Sequence, residues 1–202
     1  MTQGAMFRIA FLVLLMGILA MRVYFMVKVR RAGERLMPDQ GAVEREGGGS
    51  VLALRIIVFL IFLAFLVMYI IGMAWIDLFS FPLPAWLRWV GFALGLLSLA
   101  FWTWTQAALD TQWSAQLQLR EEHHLVTSGP YSRIRHPLYA AMFAWAIALA
   151  LLTANWIFVG LAVLSIAGTI ARVPKEEQMM LEAFGDEYRT YMQRTGRYFP
   201  KS

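Results

Sequence analysis

Gly129-Pro130-Tyr131-Ser132-Arg133-Ile134-Arg135-His136-Pro137-Leu138-Tyr139 sets two arginines, a histidine and two tyrosines at the edge of a wholly uncharged segment, Leu138 to Ala171. Charge is expensive inside a bilayer, so polar residues gathered at its boundary are commonly functional. A second polar group, Arg172 to Glu177, follows the uncharged segment. Thr153-Ala154-Asn155 is the polar break that divides the segment in two. A chain that reverses there forms a tight helical hairpin, and the two polar groups then meet at one membrane face. A site at the water–lipid boundary follows from that geometry.

The rest of the chain agrees with a membrane setting. Of its 202 residues, 59% are hydrophobic and only 15% are charged, too little polar surface for a soluble domain of this length. The fold class expected is an all-α, polytopic membrane protein of about five transmembrane helices with a cytoplasmic C-terminal helix. Five apolar segments can be drawn: Met6–Val27, Val51–Ile76, Trp86–Leu109, Leu138–Leu152 and Trp156–Ala171. The first three are long enough to cross about 30 Å of hydrocarbon at about 1.5 Å per residue. The last two are short, so the hairpin tilts, thins the bilayer or stops before the far side. Met6–Val27 reads as a retained helix rather than a secretory signal, because no small-residue cleavage site follows it.

Charge placement predicts the orientation. Lys28, Arg30, Arg31, Arg35 and Arg45 lie after the first segment, and Arg120, Arg133 and Arg135 after the third. Arg172, Lys175, Arg189, Arg194, Arg197 and Lys201 follow the fifth. The opposite connections hold Arg88, with Asp77 nearby, and no charge around Asn155. By the positive-inside rule the basic loops and tail are cytoplasmic and the N-terminus is outside. The net charge of +5 therefore serves topology and anionic lipid, not nucleic acid. The absence of cysteine excludes disulfides, thiolate metal sites and cysteine nucleophiles.

Two units are expected. Residues 1–110 hold three helices and the cytoplasmic loop 28–50, with a flexible connector at Gly47-Gly48-Gly49-Ser50. Residues 111–202 hold the catalytic and cofactor-binding region, with the last two membrane helices and a C-terminal helix. Gly91 and Gly95 form a GxxxG pair suited to close helix packing. The tail from Pro174 reads as a helix, with proline in the first turn, Glu176 and Glu177 at the positive end of the dipole, and Arg189 and Arg194 at the other. Met180, Phe184, Tyr188 and Tyr191 give it an apolar stripe at helical spacing, and Gly185 marks a bend.

Several residues are candidates for chemistry. Pro137 pushes His136 out of helical conformation, so His136 either points toward a ligand or caps the fourth helix. Arg172 and Glu176 share a helix face. They are either an ordinary ion pair or, with Pro174 kinking the helix between them, separately aimed groups. Glu176 and Glu177 point about 100° apart, so one is expected in a pocket and the other as a surface charge. His123 and His124 with Glu121 and Glu122 match no metal-ligand spacing, and no metal site is expected. Trp102, Trp104 and Trp113 read as interface or packing residues. No Walker loop, GxGxxG or GxSxG is present.

The ordered set His123-His124-Leu125-Val126-Thr127-Ser128-Gly129-Pro130-Tyr131, Arg135-His136-Pro137-Leu138-Tyr139, Arg172, Glu176-Glu177, Phe184-Gly185-Asp186-Glu187-Tyr188, Tyr191 and Pro200 resembles the isoprenylcysteine carboxyl methyltransferase family from about Gln116 to Pro200. Phospholipid N-methyltransferases share parts of the pattern. The resemblance implies a membrane methyltransferase that uses S-adenosylmethionine without a Rossmann domain. It implies that Gln116, or Gln118 with a small register shift, His123, Leu125, Val126, Tyr131, His136, Tyr139 and Glu176 or Glu177 line the cofactor pocket. It places Arg172 near the substrate, as the catalytic candidate. The acceptor implied is lipophilic or lipid-linked, either a carboxylate of an isoprenylcysteine-like compound or another group, and membrane lipids are its surroundings.

A carboxylate acceptor needs no general base, and an arginine fork can orient it. The N-terminal half departs from the family pattern, so the resemblance does not specify prenylated proteins as the acceptor. Two other classes compete with this reading. A membrane sterol- or steroid-type reductase would use NADPH, with Arg194 and Arg197 open to a 2′-phosphate. A transporter subunit or assembly scaffold leaves the clustering of Arg135, His136, Tyr139, Arg172 and Glu176 unexplained.

Overall fold

A computed structural model describes residues 3–31, 48–109 and 125–201, and its regular elements are helices. They are α1 (Gln3–Arg31), α2 (Gly48–Ile71), α3 (Ala85–Leu109), α4 (Pro137–Thr153) and α5 (Trp156–Arg194), with a single helical turn at Ala74–Asp77 and a 3₁₀ turn at Gly129–Ser132. By length and composition α1, α3 and α5 can cross a membrane, while Ile56–Ile71 of α2 and Pro137–Thr153 are shorter apolar stretches. The all-α, multi-pass membrane class stands.

The second apolar segment is not one helix. α2 ends at Ile71 because Gly72 has φ +71°, and a Cβ there would run into the Arg8 guanidinium. Arg8 reaches across this turn to Asp77 at 3.2 Å. Sequence hydropathy alone runs through the turn, since Gly72 and Met73 carry no polarity.

The hairpin forms where Thr153-Ala154-Asn155 predicts it. Ala154 takes the left-handed conformation that ends α4. Asn155 then caps α5, its side chain accepting from the Ile157 N–H at 2.9 Å. Its Nδ2 donates to the Ile76 carbonyl at 2.7 Å, and the residue is fully buried. A lone amide in an apolar setting is tolerable because its partners are all backbone groups.

α3 lies against both α1 and α4, and the two glycines explain how. A Cβ on Gly91 would lie 2.8 Å from the Leu152 amide nitrogen of α4, and one on Gly95 2.5 Å from Leu14 of α1. Close approach lets Ser98 Oγ donate to the Ala141 carbonyl at 2.8 Å. Arg88 Nε donates to the Leu152 carbonyl at 2.9 Å, which satisfies the open C-terminal end of α4. Phe7, Phe11, Leu14, Tyr69, Ile76, Leu152 and Phe158 fill the core at this end. Met21, Phe25, Trp102 and Ala141 form a second cluster nearer the site. The exposed Ile57, Phe59, Leu60 and Val67 of α2 suit a lipid environment.

α5 continues well past the apolar stretch that ends at Ala171, so the expected tail helix is its extension. Pro174 lies inside it, but the non-helical dihedrals fall at Gly185 (φ 52°, ψ −122°). The bend at Gly185 is therefore present, whereas Arg172 and Glu176 remain paired across Pro174 rather than separately aimed. A proline two residues after Arg172 removes one backbone donor without disturbing side chains four apart on the surface.

Candidate active site

The start of α4 and the extension of α5 bring the two polar groups together. His136 has non-helical dihedrals (φ −122°, ψ 57°), and its side chain makes no capping bond among the described residues. The ring instead faces both glutamates, with Nε2 3.3 Å from Glu177 Oε1 and Nδ1 3.8 Å from Glu176 Oε2. The ring of Tyr139, one turn on, stacks on it at 5.6 Å and 10°. Tyr139 also donates its hydroxyl to Glu176 Oε1, which accepts from Arg172 Nε at 2.8 Å as well.

Glu177 is the hub of the other side. Arg135 Nε donates to it at 3.0 Å and Arg197 Nε at 3.2 Å. Burial works to raise this carboxyl, but the hydrogen bonds from His136, Arg197 and Arg135 outweigh it and hold its pKa at about 2. Three donors that favour the charged form are the cause. Glu177 is 4% exposed. The expectation that one glutamate of the pair is a surface charge is therefore corrected. Val173, Glu177, Tyr188 and Tyr191 are all buried and repeat at helical spacing, so Glu177 lies on the apolar stripe. Glu176, one position away, faces Tyr139 and Arg172, with its side chain 17% exposed.

The chain beyond α5 closes this side. Thr195 ends the helix, and the following residues run beside the turn before α4. The Arg135 amide donates to the Gly196 carbonyl at 2.8 Å, the His136 amide to the Arg197 carbonyl at 3.0 Å, and the Gly196 amide to the Arg133 carbonyl at 3.1 Å. The Arg135 guanidinium also donates to the Met192 and Thr195 carbonyls. Tyr198 packs near His136 (6.2 Å between centroids) and Phe143 (5.2 Å). Tyr191 donates its hydroxyl to the Tyr131 carbonyl at 2.7 Å, which ties α5 to the 3₁₀ turn.

Of the sequence candidates, His136, Tyr139, Arg172, Glu176 and Glu177 form one connected cluster. Tyr131 is buried in the adjoining turn, and Leu125 and Val126 lead into that turn half-buried. Gln116 and Gln118, the neighbouring Glu121, Glu122, His123 and His124, and Trp113 lie outside the described residues. Trp102 packs in the core and Trp104 is exposed, as expected for packing and interface roles. Arg197 and Tyr198 join the cluster without a sequence signal that marks them as members. An Arg-Tyr pair after a helix end is too common to read.

A multi-pass helical membrane protein with a charged cluster at one end of its last hairpin is the class these elements define. The model of the isoprenylcysteine carboxyl methyltransferase family matches residues 84–182, a stretch that carries α3, the 3₁₀ turn, α4 and the cluster-bearing part of α5. The protein-S-isoprenylcysteine O-methyltransferase of Dictyostelium discoideum is 30% identical over 125 residues, 58% of this chain and 52% of that protein. A nickel-cobalt-cadmium resistance protein of Alcaligenes xylosoxydans xylosoxydans is 31% identical over 114 residues, 56% of this chain and 53% of that protein. The chain thus spans about half the length of these curated relatives. The structure of a eukaryotic intramembrane Ras methyltransferase shares the fold, with a TM-score of 0.52 at 23% identity over 74% of this chain and 50% of that one. The chain belongs to the isoprenylcysteine carboxyl methyltransferase family.

Proposed function

We propose that this chain is an integral-membrane methyltransferase that moves the methyl group of S-adenosylmethionine to a carboxylate of a lipophilic, isoprenylcysteine-like acceptor. The observation that carries this reading is the Glu176 carboxylate, held by Tyr139 and Arg172 beside the stacked His136 and Tyr139 rings. An anion next to aromatic faces fits a ligand that bears an ammonium and a sulfonium. When bound, the cofactor supplies an electrophilic methyl group, which leaves sulfur as a neutral thioether and forms a bond to the acceptor oxygen.

Each residue then has a distinct task. Glu176 binds the ammonium or ribose hydroxyls. His136 and Tyr139 hold the aromatic wall. Glu177 is saturated by Arg135, His136 and Arg197, so it positions His136 and the tail rather than the ligand. Arg172, at the end of the apolar span, orients the acceptor carboxylate while bridging to Glu176, and no proton need be removed. Gln116, His123, Leu125 and Val126 complete the cofactor pocket in this reading. The acceptor enters from the bilayer toward residues 1–110, and the cofactor enters from the cytoplasm toward residues 111–202.

The engagement of Arg197 with Glu177 leaves it poorly suited to a 2′-phosphate, which weighs against a reductase. In detergent, S-adenosylhomocysteine should raise the melting temperature and NADPH should not. Glu176→Gln should abolish most of that rise. Stabilisation by NADPH alone would overturn the assignment. The positive-inside pattern supports a cytoplasmic site, and the chain lacks cysteine, so Lys201→Cys gives a single reporter. An impermeant maleimide should leave that cysteine unlabelled in intact cells; labelling from outside would reverse the orientation.

A further inference from the structure

One face of α3 carries a polar group that the cluster above does not use. Gly91, Gly95, Ser98, Trp102, Thr105 and Gln106 are the buried residues of this helix. Ser98 and Thr105 donate to carbonyls at 2.8 Å. Among the described residues, Trp102 Nε1, Gln106 Nε2 and Gln106 Oε1 are buried with no hydrogen-bond partner. Gln106 is 1% exposed, so water cannot reach it freely. Buried polar groups are nearly always satisfied, and an unsatisfied one calls for a ligand or a function. Here three atoms one helical turn apart share the deficit.

Their place in the fold is at the level of the site. α3 and α4 run antiparallel, with Gly91 against Ala148 and Leu152 and Ser98 bonded to Ala141. Gln106 is eight residues beyond Ser98, about 12 Å further along the axis, which brings it level with the turn that precedes α4. The last turn of α3 abuts that turn independently: a Cβ on Gly129 would lie 3.4 Å from Ala108. The cluster beneath Trp102 is apolar, built with Met21, Phe25 and Ala141 and flanked by Leu138 and Met142.

The unmet groups specify the ligand chemistry. A carboxylate would use the Gln106 NH₂ and leave Oε1 unmatched. A secondary amide supplies one donor and one acceptor, and so satisfies both sides of the glutamine amide. We infer that Gln106, with the Trp102 N–H as an accessory donor, recognises a secondary amide next to the methyl-accepting carboxylate on an apolar stem. The inference rests on the methyl-transfer reading above, and it makes Gln106 a specificity residue of that reaction.

Two acceptors separate the possibilities: S-farnesylcysteine with its amine acetylated, and the analogue with hydrogen in place of the acetamido group. The wild-type protein should use the amide-bearing acceptor better in kcat/KM by at least about tenfold, as sites built to hydrogen-bond a substrate do. Gln106→Met, which keeps the volume and removes the amide, should bring the two within about twofold by lowering only the amide-bearing one. The unliganded melting temperature of the variant should equal or exceed that of the wild type, because an unmatched polar group has been removed. Its stabilisation by S-adenosylhomocysteine should be unchanged.

A preference retained in the variant, no preference in the wild type, or a variant that melts lower or does not fold would each overturn the role of Gln106. The last result would mean that the amide has a structural partner. Wild-type stabilisation by S-adenosylhomocysteine together with measured methyl transfer confines any such failure to Gln106. Absence of both removes the methyl-transfer reading, and the inference with it.

Discussion

The two ends of the α4–α5 hairpin are held together in different ways. At the Ala154 end, polar side chains meet backbone: Asn155 bonds to Ile76 and Ile157, and Arg88 to the Leu152 and Thr153 carbonyls. At the Ala171 end, charge meets charge, with Glu176 and Glu177 drawing on Arg135, His136, Arg172 and Arg197. The first end is closed, since each group has the partners it needs and apolar rings fill the rest. The second keeps capacity in reserve. Glu176 stays partly open, and the α3 face beside the preceding turn holds an amide unmatched among the described residues. A structural end can be satisfied completely, while an end that binds a ligand, the role proposed for the second, needs groups whose partners arrive with the ligand.

The comparison breaks most visibly at Glu177. Glu177→Ala leaves the buried Arg135 guanidinium without its carboxylate, and removing one partner of a buried pair costs on the order of 3–5 kcal/mol. The melting temperature should fall steeply and the S-adenosylhomocysteine shift should vanish. A small loss of stability would mean that the tail is held by its backbone bonds alone. The same carboxyl predicts acid behaviour. Its folded pKa is lowered from 4.5 to about 2, so its contribution is fully present above the unfolded value and is lost as pH falls from about 4.5 toward 2. A fluorescence titration in detergent should show loss of structure in that window, and Glu177→Gln should flatten it.

Arg172→Lys tests the reserve itself. A lysine can snorkel and keep the helix end in place, but it lacks the planar fork that aligns a carboxylate. Turnover should drop on the order of 10²-fold with a smaller change in cofactor affinity. Transfer at the wild-type rate would reduce Arg172 to its ion pair with Glu176. The mildest effect belongs to the closed end. Asn155→Ala strips the Ile76 carbonyl of a buried donor, which costs about 1–3 kcal/mol. It should lower the melting temperature and leave the S-adenosylhomocysteine shift unchanged. A lost shift would show that the two ends are coupled through α4 and α5.

Much of this architecture is local in origin and could be read in order along the chain. Hydrophobic length and charge placement mark the spans, Thr153-Ala154-Asn155 marks the reversal, and a reversal there brings His136 to Glu176. Gly185 announces its bend because left-handed backbone favours glycine. The turn at Gly72 is invisible to hydropathy because it interrupts the segment with another uncharged residue. Glu177 was legible in principle, since it lies on the stripe of Tyr188 and Tyr191, but a carboxylate on an apolar stripe makes sense only once its cations are known.

Those cations are what the tertiary structure decided. Arg135 reaches Glu177 from 42 positions away, and Arg197 is delivered by backbone pairing of the tail with the turn before α4. Backbone pairing carries no side-chain signature, and an arginine declares its charge but not its partner. Sequence by itself therefore determined the membrane helices, the hairpin and the set of polar residues at its mouth. The burial of Glu177 and the different partners of Glu176 and Glu177, on which their proposed roles rest, required the packed tail, because burial and partner choice depend on residues distant in the chain.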